Sequence, residues 1–216
     1  MSTARNGDFS GYFEGIAEKE MLMYQAVIEM VQEDYDINSI KVSDITGRAG
    51  IGKGTAYEYF SSKEEIIVKA LLYDTYMHIK SIENILGKEL SFREKYYLLL
   101  DFLEEKMPYT KGVGSLLKMF TGTYEVKEKF HGELEKFHLQ VNCPLAYVEE
   151  MIDIFMEQGF REGIYSQENK SLRRSVFATQ VTGYIYCILN QYYAGTLSRE
   201  CARDFSYNSV VKLLNP

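Results

Sequence analysis

The chain has 216 residues, of which 46% are hydrophobic, enough for one or two domains with sizeable cores. Three prolines favour a helical protein, and no run of about 18 apolar residues predicts a membrane span. A net charge of −7 argues against a broadly basic nucleic-acid-binding surface.

The first ten residues and the cysteines bear on cellular location. Residues 1–10 are polar and lack the apolar core of a signal peptide. The three cysteines are widely spaced, which is typical of reduced thiols rather than a disulfide framework. We therefore expect a cytoplasmic protein.

The N-terminal part begins with a polar stretch, residues 1–11, which we expect to be a mobile arm. Residues 13–33 follow as a predicted helix, whose apolar residues recur at helical spacing. These are Leu22, Met23, Ala26, Val27, Met30 and Val31. Residues 34–41 form the predicted connection to the next helix.

Residues 42–63, VSDITGRAGIGKGTAYEYFSSK, predict two short helices joined by a glycine turn. Val42, Ile45 and Ala49 share one face of the first helix. Gly50 stands where a left-handed residue ends a helix. The second helix has a polar front and apolar residues Ala56 and Phe60 behind it. This is the layout of a helix-turn-helix, whose second helix enters the DNA major groove.

A phosphate-binding loop is the rival interpretation of the same segment. Gly47, Gly52 and Lys53 match its spacing, but Gly54 stands where that loop needs Ser or Thr to hold magnesium. The loop also follows a buried strand, whereas residues 41–46 predict a charged helix. We reject nucleotide binding on these two grounds.

Residues 45–66 carry a recognisable set of short runs: Ile45-Thr46, Ala49-Gly50-Ile51, Lys53-Gly54-Thr55, Tyr59-Phe60 and Lys63-Glu64-Glu65-Ile66. This pattern resembles the DNA-binding signature of the tetracycline-repressor-type (TetR) family. The resemblance implies an all-α fold. A three-helix helix-turn-helix domain, residues 1–62, would be joined by a long helix to a helical effector-binding and dimerisation domain, residues 63–216.

The resemblance also implies which residues meet DNA. Lys53 can reach guanine acceptors or a phosphate, and tyrosine and threonine hydroxyls suit phosphates. Lys63 and the amides beside it, at the start of the following helix, suit another phosphate. The candidates are Lys53, Gly54, Thr55, Tyr57, Tyr59 and Lys63. For Tyr57 and Tyr59, simple packing of the small domain stays an alternative.

Charge is the main objection to DNA binding. Residues 1–66 carry six basic against twelve acidic side chains, whereas residues 37–63 carry a net +2 from Lys41, Arg48, Lys53 and Lys63 against Asp44 and Glu58. The acidic residues lie mostly in the first helix, which can point away from DNA. We expect modest, salt-sensitive nonspecific affinity.

The rest of the chain is predicted to be helical. Ser62 and Glu65 form a capping box that opens a long helix to Leu86, and Ser91 with Glu94 opens another that ends before Pro108. Short helices are predicted near 114–120 and 124–140. A helix after Pro144 ends near Gly163, and periodic helices follow at 172–193 and after Ser198.

The TetR resemblance implies a small-molecule cavity in the second domain. Candidate lining residues are the aromatic, histidine and methionine side chains His78, Tyr97, Met107, Phe120, Tyr124, Phe137, Tyr147, Met151, Phe155 and Tyr184. For each of them, ordinary core packing is the competing interpretation. Net acidity favours a neutral or cationic effector.

Metal binding and catalysis find little support in the sequence. His131 and His138 lie seven residues apart on one predicted helix, too far for a single zinc ion, and no Cys-x-x-Cys pair occurs. No nucleophile motif surrounds any cysteine or serine. We expect no metal, no cofactor and no enzymatic activity.

The resemblance implies a homodimer through the two C-terminal helices, where Gly183 permits close approach. The predicted function is a ligand-responsive transcriptional regulator, most often a repressor, that binds a palindromic double-stranded operator and is released by a small-molecule effector. The alternative is a helical small-molecule-binding dimer that has lost DNA binding.

Overall fold

The computed structural model describes residues 13–33, 35–106, 132, 144–189 and 198–215, with only the backbone at 106, 144–148 and 189. The described residues contain helices and no strand, as the all-α prediction requires. The helices are α1 (Glu18–Gln32), α2 (Val42–Arg48), α3 (Lys53–Tyr59), α4 (Lys63–Gly87), α5 (Phe92–Lys106), α6 (Pro144–Arg161), α7 (Lys170–Leu189) and α8 (Arg199–Leu213). The helices predicted near 114–120 and 124–140 lie outside the described residues.

The chain divides into two compact units, and the division falls inside α4. The first unit holds α1, α2, α3 and α4 as far as Ile79. The second unit holds α4 from Lys80, α5, α6 from Leu145, α7 and α8. No helix among the described residues is long and apolar enough to cross a membrane.

The first unit is built on the apolar side of α1. Met23, Val27 and Met30 are at most 1% exposed, as their spacing predicts. The Tyr24 ring packs 5.9 Å from the Phe60 ring, between centroids. The prediction that Leu22 shares this buried side is wrong, because its side chain is 36% exposed.

The start of α2 is fixed by Asp44. Its Oδ2 accepts a hydrogen bond from the backbone N–H of Lys41, at 2.9 Å. Upstream, Asp36 organises a turn, since its Oδ1 accepts from the Asn38 N–H and its carbonyl from the Ser39 hydroxyl. A carboxylate in the first turn therefore satisfies a free amide at the helix N-terminus.

The turn between α2 and α3 has the predicted left-handed glycine. Gly50 has φ of 68°, a conformation that costs little only for glycine. The Ile51 N–H donates to the Thr46 carbonyl and the Gly50 N–H to the Gly47 carbonyl. This pair of bonds is a Schellman motif, which satisfies carbonyls at the end of α2.

The predicted capping boxes differ in how completely they form. At α5, the Ser91 N–H donates to the Glu94 carboxylate at 2.9 Å and the Glu94 N–H to the Ser91 hydroxyl at 3.4 Å, so the box is complete. At α4, the Glu65 N–H donates to the Ser62 hydroxyl, but the Glu65 carboxylate accepts from Ser61 instead. The α4 box is therefore half formed.

The second unit has an aromatic core where α5, α6, α7 and α8 meet. Phe92, Tyr96 and Leu100 of α5 are fully buried, and the Phe92 ring stacks on Phe155 of α6 at 4.6 Å. The Tyr96 hydroxyl hydrogen-bonds the Ser206 hydroxyl of α8 at 2.8 Å. Such a core fixes how these four helices pack.

A substitution at Gly50 tests the turn that separates α2 from α3. Gly50→Ala places a Cβ in the left-handed region, so we expect the free energy of unfolding to fall by about 1 kcal/mol. Gly47→Ala, in the interior of α2 with no atom near the new Cβ, should instead raise it by up to about 1 kcal/mol. Denaturant unfolding of both variants measures the difference; equal effects would contradict the assigned turn.

Candidate functional site

The outer face of α3 is an exposed polar surface supported by buried residues. Ala56 and Phe60 are 0% and 2% exposed, because they face the core of the first unit. Lys53, Gly54 and Tyr57 are exposed on the opposite side, with Tyr57 at 54%. A rigid backing and a polar front suit a helix that contacts a charged partner.

The other predicted DNA contacts are less open. Thr55 and Tyr59 of α3 are half-buried, and the Tyr59 ring lies 6.5 Å from the Phe60 ring. Lys63, at the start of α4, donates from Nζ to the Asn38 carbonyl at 3.2 Å and lies 3.7 Å from Glu64. Five of the six candidates thus share one short helix, and the sixth also holds the α1–α2 connection.

Arg48, counted among the cations of residues 37–63, is paired with carboxylates outside that segment. Its guanidinium lies 2.7 Å from the Glu33 carboxylate and 3.8 Å from Glu29, both on the acidic side of α1 or its end. It also stacks 5.6 Å from the Tyr35 ring centroid. The hydrogen bond from Arg48 lowers the pKa of Glu33, which is therefore ionised near neutral pH.

The positive charge left on this side of the unit is therefore small. Arg48 is matched by α1 carboxylates, and Lys63 has a carboxylate neighbour in Glu64. Lys53 makes no ion pair with any described residue. The net +2 counted along residues 37–63 is thus reduced in space, and Lys53 is the cation on the exposed face of α3.

The start of α4 already holds a carboxylate. Glu65 accepts hydrogen bonds from the Ser61 N–H at 2.8 Å and hydroxyl at 2.6 Å, and lies 2.8 Å from Lys69 Nζ. Burial raises the pKa of Glu65, but the bonds from Lys69 and Ser61 outweigh it and lower the pKa to about 2. This helix N-terminus is therefore already partly neutralised before any phosphate could bind there.

The second unit contains an apolar cavity of about 150 Å³. It is bordered by aliphatic, methionine and phenylalanine side chains from α4, α5, α6 and α7. They are Ile82, Leu86, Leu99, Leu103, Met151, Ile152, Phe155 and Phe177. None of these side chains carries a polar group other than the methionine sulfur.

Two of the predicted pocket residues, Met151 and Phe155, line this cavity. Tyr184 borders a different groove and donates its hydroxyl to Glu104 at 2.8 Å, and Tyr97 donates to Asp204. His78 lies in the first unit, 3.6 Å from Asp74. Met107, Phe120, Tyr124 and Phe137 lie outside the described residues, and only the backbone of Tyr147 is described.

Six lining residues were not among the predicted ones, namely Ile82, Leu86, Leu99, Leu103, Ile152 and Phe177. Ile82 and Leu86 lie four residues apart on α4, as do Leu99 and Leu103 on α5. This spacing places each pair on one helix face. Paired aliphatic residues were the available signal, although the same spacing also describes ordinary core.

An exposed apolar face runs along α7 and α8. Phe205 of α8 is 67% exposed and Tyr186 of α7 is 58% exposed. Gly183, also exposed, lines a groove together with Cys187 and Phe205. Large apolar side chains grouped on one surface are typical of a protein–protein contact.

No group of three or more His, Cys, Asp or Glu side chains suited to a metal ion occurs in the part of the chain that the structure describes.

Side chains of the second unit whose pKa is altered interact with other residues of the same chain. Burial, for example, raises the pKa of Tyr184 to about 12, and the hydrogen bond to Glu104 adds to this rise.

Part of the first unit matches a known family by sequence. Residues 27–70 match the sequence model for bacterial regulatory proteins of the tetR family. Among curated proteins, none matches by sequence.

Several solved structures have a similar fold over most of the chain. A TetR transcription regulator from Haloarcula marismortui has a TM-score of 0.66 at 15% identity, covering 93% of this chain and 100% of its own. The transcriptional regulator FadR from Bacillus subtilis, in complex with stearoyl-CoA, has 0.58 at 18%, covering 90% and 97%. A putative transcriptional regulator from Saccharomonospora viridis, in complex with choline, has 0.62 at 12%, covering 90% and 94%.

The carboxylate at the start of α4 gives a stability prediction. The pKa of Glu65 is lowered from 4.5 to about 2 on folding, so its contribution is complete above about pH 4.5 and lost as the pH falls toward 2. Glu65→Gln should reduce the free energy of unfolding at pH 7 by roughly 1–2 kcal/mol, allowing for solvent screening. The difference from wild type should shrink below pH 4.5.

Denaturant unfolding at several pH values measures this dependence. Glu58→Gln, which removes an exposed carboxylate from α3, is the control and should change stability by less than about 0.5 kcal/mol. A Glu65 effect that is independent of pH would argue against the lowered pKa.

Proposed function

We propose that this chain, which belongs through residues 27–70 to the TetR family of bacterial regulatory proteins, is a ligand-responsive transcriptional regulator. It acts as a repressor and binds a palindromic operator as a homodimer. The observation that supports this most is the outer face of α3, where Lys53 and Tyr57 are exposed over buried Ala56 and Phe60.

Each residue of the α3 face has a proposed role. Lys53, at the N-terminal end of α3, reaches guanine acceptors or a phosphate in the major groove. Gly54 lets the backbone approach the duplex. Thr55 and Tyr57 donate hydroxyls to phosphates, which fixes the position of the helix rather than its sequence preference. Tyr59 and Lys63 contact the flanking backbone from their half-buried positions.

The dimer would form through the exposed face of α7 and α8. Phe205 and Tyr186 supply apolar area, and Gly183 allows a partner helix to approach closely. Glycine in a helix costs about 1 kcal/mol relative to alanine, which a close helix contact can offset. A two-fold dimer presents two copies of α3, so the operator would be a palindrome or nearly so.

The effector would bind in the second unit. The Bacillus subtilis and Saccharomonospora viridis proteins were solved with stearoyl-CoA and choline, respectively. Here, helix α4 supplies Ile66 and Ile67 to the core of the first unit and Ile82 and Leu86 to the cavity of the second. A ligand that binds the DNA-incompetent conformation more tightly would shift the population toward it.

A helical ligand-binding dimer that has lost DNA binding is the alternative. The pairing of Arg48 with Glu33 and Glu29 favours it, because it removes a cation from the first unit's exposed charge. Binding to DNA distinguishes the two functions.

Substitutions at Tyr57 test the DNA-binding proposal. The DNA directly upstream of the protein's own gene is the probe in an electrophoretic shift assay at low salt. Tyr57→Phe, which removes only the hydroxyl, should weaken binding at least about tenfold, because a hydrogen bond to a charged group contributes about 1.5–3 kcal/mol, and Tyr57→Ala should weaken it at least as much. Both variants should keep nearly wild-type stability, since the side chain is 54% exposed.

Two results would count against the proposal. No shift of a folded wild-type dimer at low salt would leave the alternative function in its place. A large stability loss in Tyr57→Ala, with Tyr57→Phe unaffected in both assays, would assign Tyr57 to packing.

The proposed dimer face has its own test. Phe205→Glu should raise the dimer dissociation constant at least about a hundredfold, because burying an unpaired carboxylate costs several kcal/mol. Ile154→Glu, 46% exposed on α6, is the control and should leave the mass unchanged. Sedimentation equilibrium measures both; a Phe205→Glu protein that stays dimeric would place the interface elsewhere.

A further inference from the structure

The lining of the cavity in the second unit favours apolar ligands over charged ones. Within the part of the chain that the structure describes, all eight bordering side chains are apolar, and six of them are the aliphatic and thioether side chains of Ile, Leu and Met. Apolar cavities of about 150 Å³ in proteins stay dry and bind molecules of roughly six carbon atoms. A charged group placed here would lose its hydration without a partner.

The two phenylalanines of the lining do not form a cage for a cation. The Phe155 ring already stacks on Phe92, with centroids 4.6 Å apart and planes at 25°. The Phe177 ring is nearly perpendicular to the Phe155 and Tyr96 rings, with centroids 5.6 Å and 5.9 Å away. A quaternary ammonium needs open ring faces on several sides, and two phenylalanines, one of which already stacks on Phe92, do not supply them.

The buried cations of this unit are also engaged by protein acceptors. Lys95 donates from Nζ to the Leu86 carbonyl at 2.7 Å and to Gln158 at 2.8 Å. Arg173 donates to the Glu157 carboxylate at 2.7 Å. Neither side chain borders the cavity, so neither of these two cations offers a carboxylate or phosphate a partner inside it.

We propose that the cavity binds an alkyl chain of about six carbon atoms and that any charged head group of the ligand stays outside it. This inference rests on the proposed function in treating the cavity as the effector site. It places no condition on the charge of the effector, unlike the overall charge, which favoured a neutral or cationic one, because the lining, rather than the surface, meets the ligand.

A bound alkyl chain would also contact helix α4. Ile82 and Leu86 lie in the last turns of that helix, and the Leu86 carbonyl is held by Lys95, while Gln158 donates to the Leu90 carbonyl at 2.9 Å. An alkyl chain against Ile82 and Leu86 therefore contacts the end of α4 directly.

The test is calorimetric titration of the full chain with simple alcohols. Affinity should rise about fourfold for each CH₂ from 1-butanol to 1-hexanol, the factor that corresponds to about 0.8 kcal/mol per CH₂. 1,6-Hexanediol, which would place a hydroxyl in the cavity, should bind at least tenfold more weakly than 1-hexanol. Hexanoate and hexyltrimethylammonium should bind within about threefold of 1-hexanol.

A matched pair of variants locates the site. Ile152→Phe fills part of the cavity and should weaken 1-hexanol binding at least tenfold, whereas Ile154→Phe, exposed on the same helix, should not change it. If Ile152→Phe does not fold, Leu103→Phe takes its place, and the alcohol series on the wild-type chain stands independently.

Equal binding of 1-hexanol and 1,6-hexanediol, or binding by only one of the two charged probes, would overturn the inference. The upstream DNA assay on the same preparation separates it from the proposed function. DNA binding without alkyl binding contradicts the inference alone. Alkyl binding without DNA binding supports the inference as a statement about the cavity and contradicts the regulator.

Discussion

The burial of Ala56 and Phe60 behind α3 is the packing interaction on which the candidate DNA-binding surface depends. Phe60 packs against Tyr24 of α1, and Ile45 of α2 is fully buried in the same unit. With its back fixed in this way, α3 has one orientation, and Lys53 and Tyr57 point outward. The Gly50 turn sets the direction in which α3 leaves α2. A loss of this packing would leave the same residues present but not aligned for a groove.

The protein as a whole is acidic, so the affinity of the α3 face for DNA depends on how many of its cations are unpaired. The Arg48–Glu33 pair removes one cation from the local count, so the exposed positive charge of α3 comes from Lys53. In the proposed function, few neutralised phosphates per protomer would give modest nonspecific affinity, and specific binding would depend on directional contacts and on dimer symmetry. In the second unit, the buried cations Lys95 and Arg173 are bonded to protein acceptors, and the described side chains that border the cavity are uncharged.

The sequence predicted the elements whose signals are local. The Gly50 turn, the Ser91–Glu94 box and the extent of α4 follow from residues within a few positions of one another. It did not predict contacts between distant segments, such as Arg48 with Glu33, because a charge count along the chain carries no distances. The cavity was predicted from aromatic residues, yet most of its lining is aliphatic, and periodicity does not separate a cavity wall from filled core.

We propose that the outer face of α3 reads a specific DNA sequence. Competition binding tests this proposal most directly: a labelled duplex from upstream of the protein's own gene is bound, then displaced by the unlabelled duplex or by a scrambled duplex of the same composition. We expect a preference of at least about a thousandfold for the upstream duplex at physiological salt. Equal displacement by the two duplexes would contradict it.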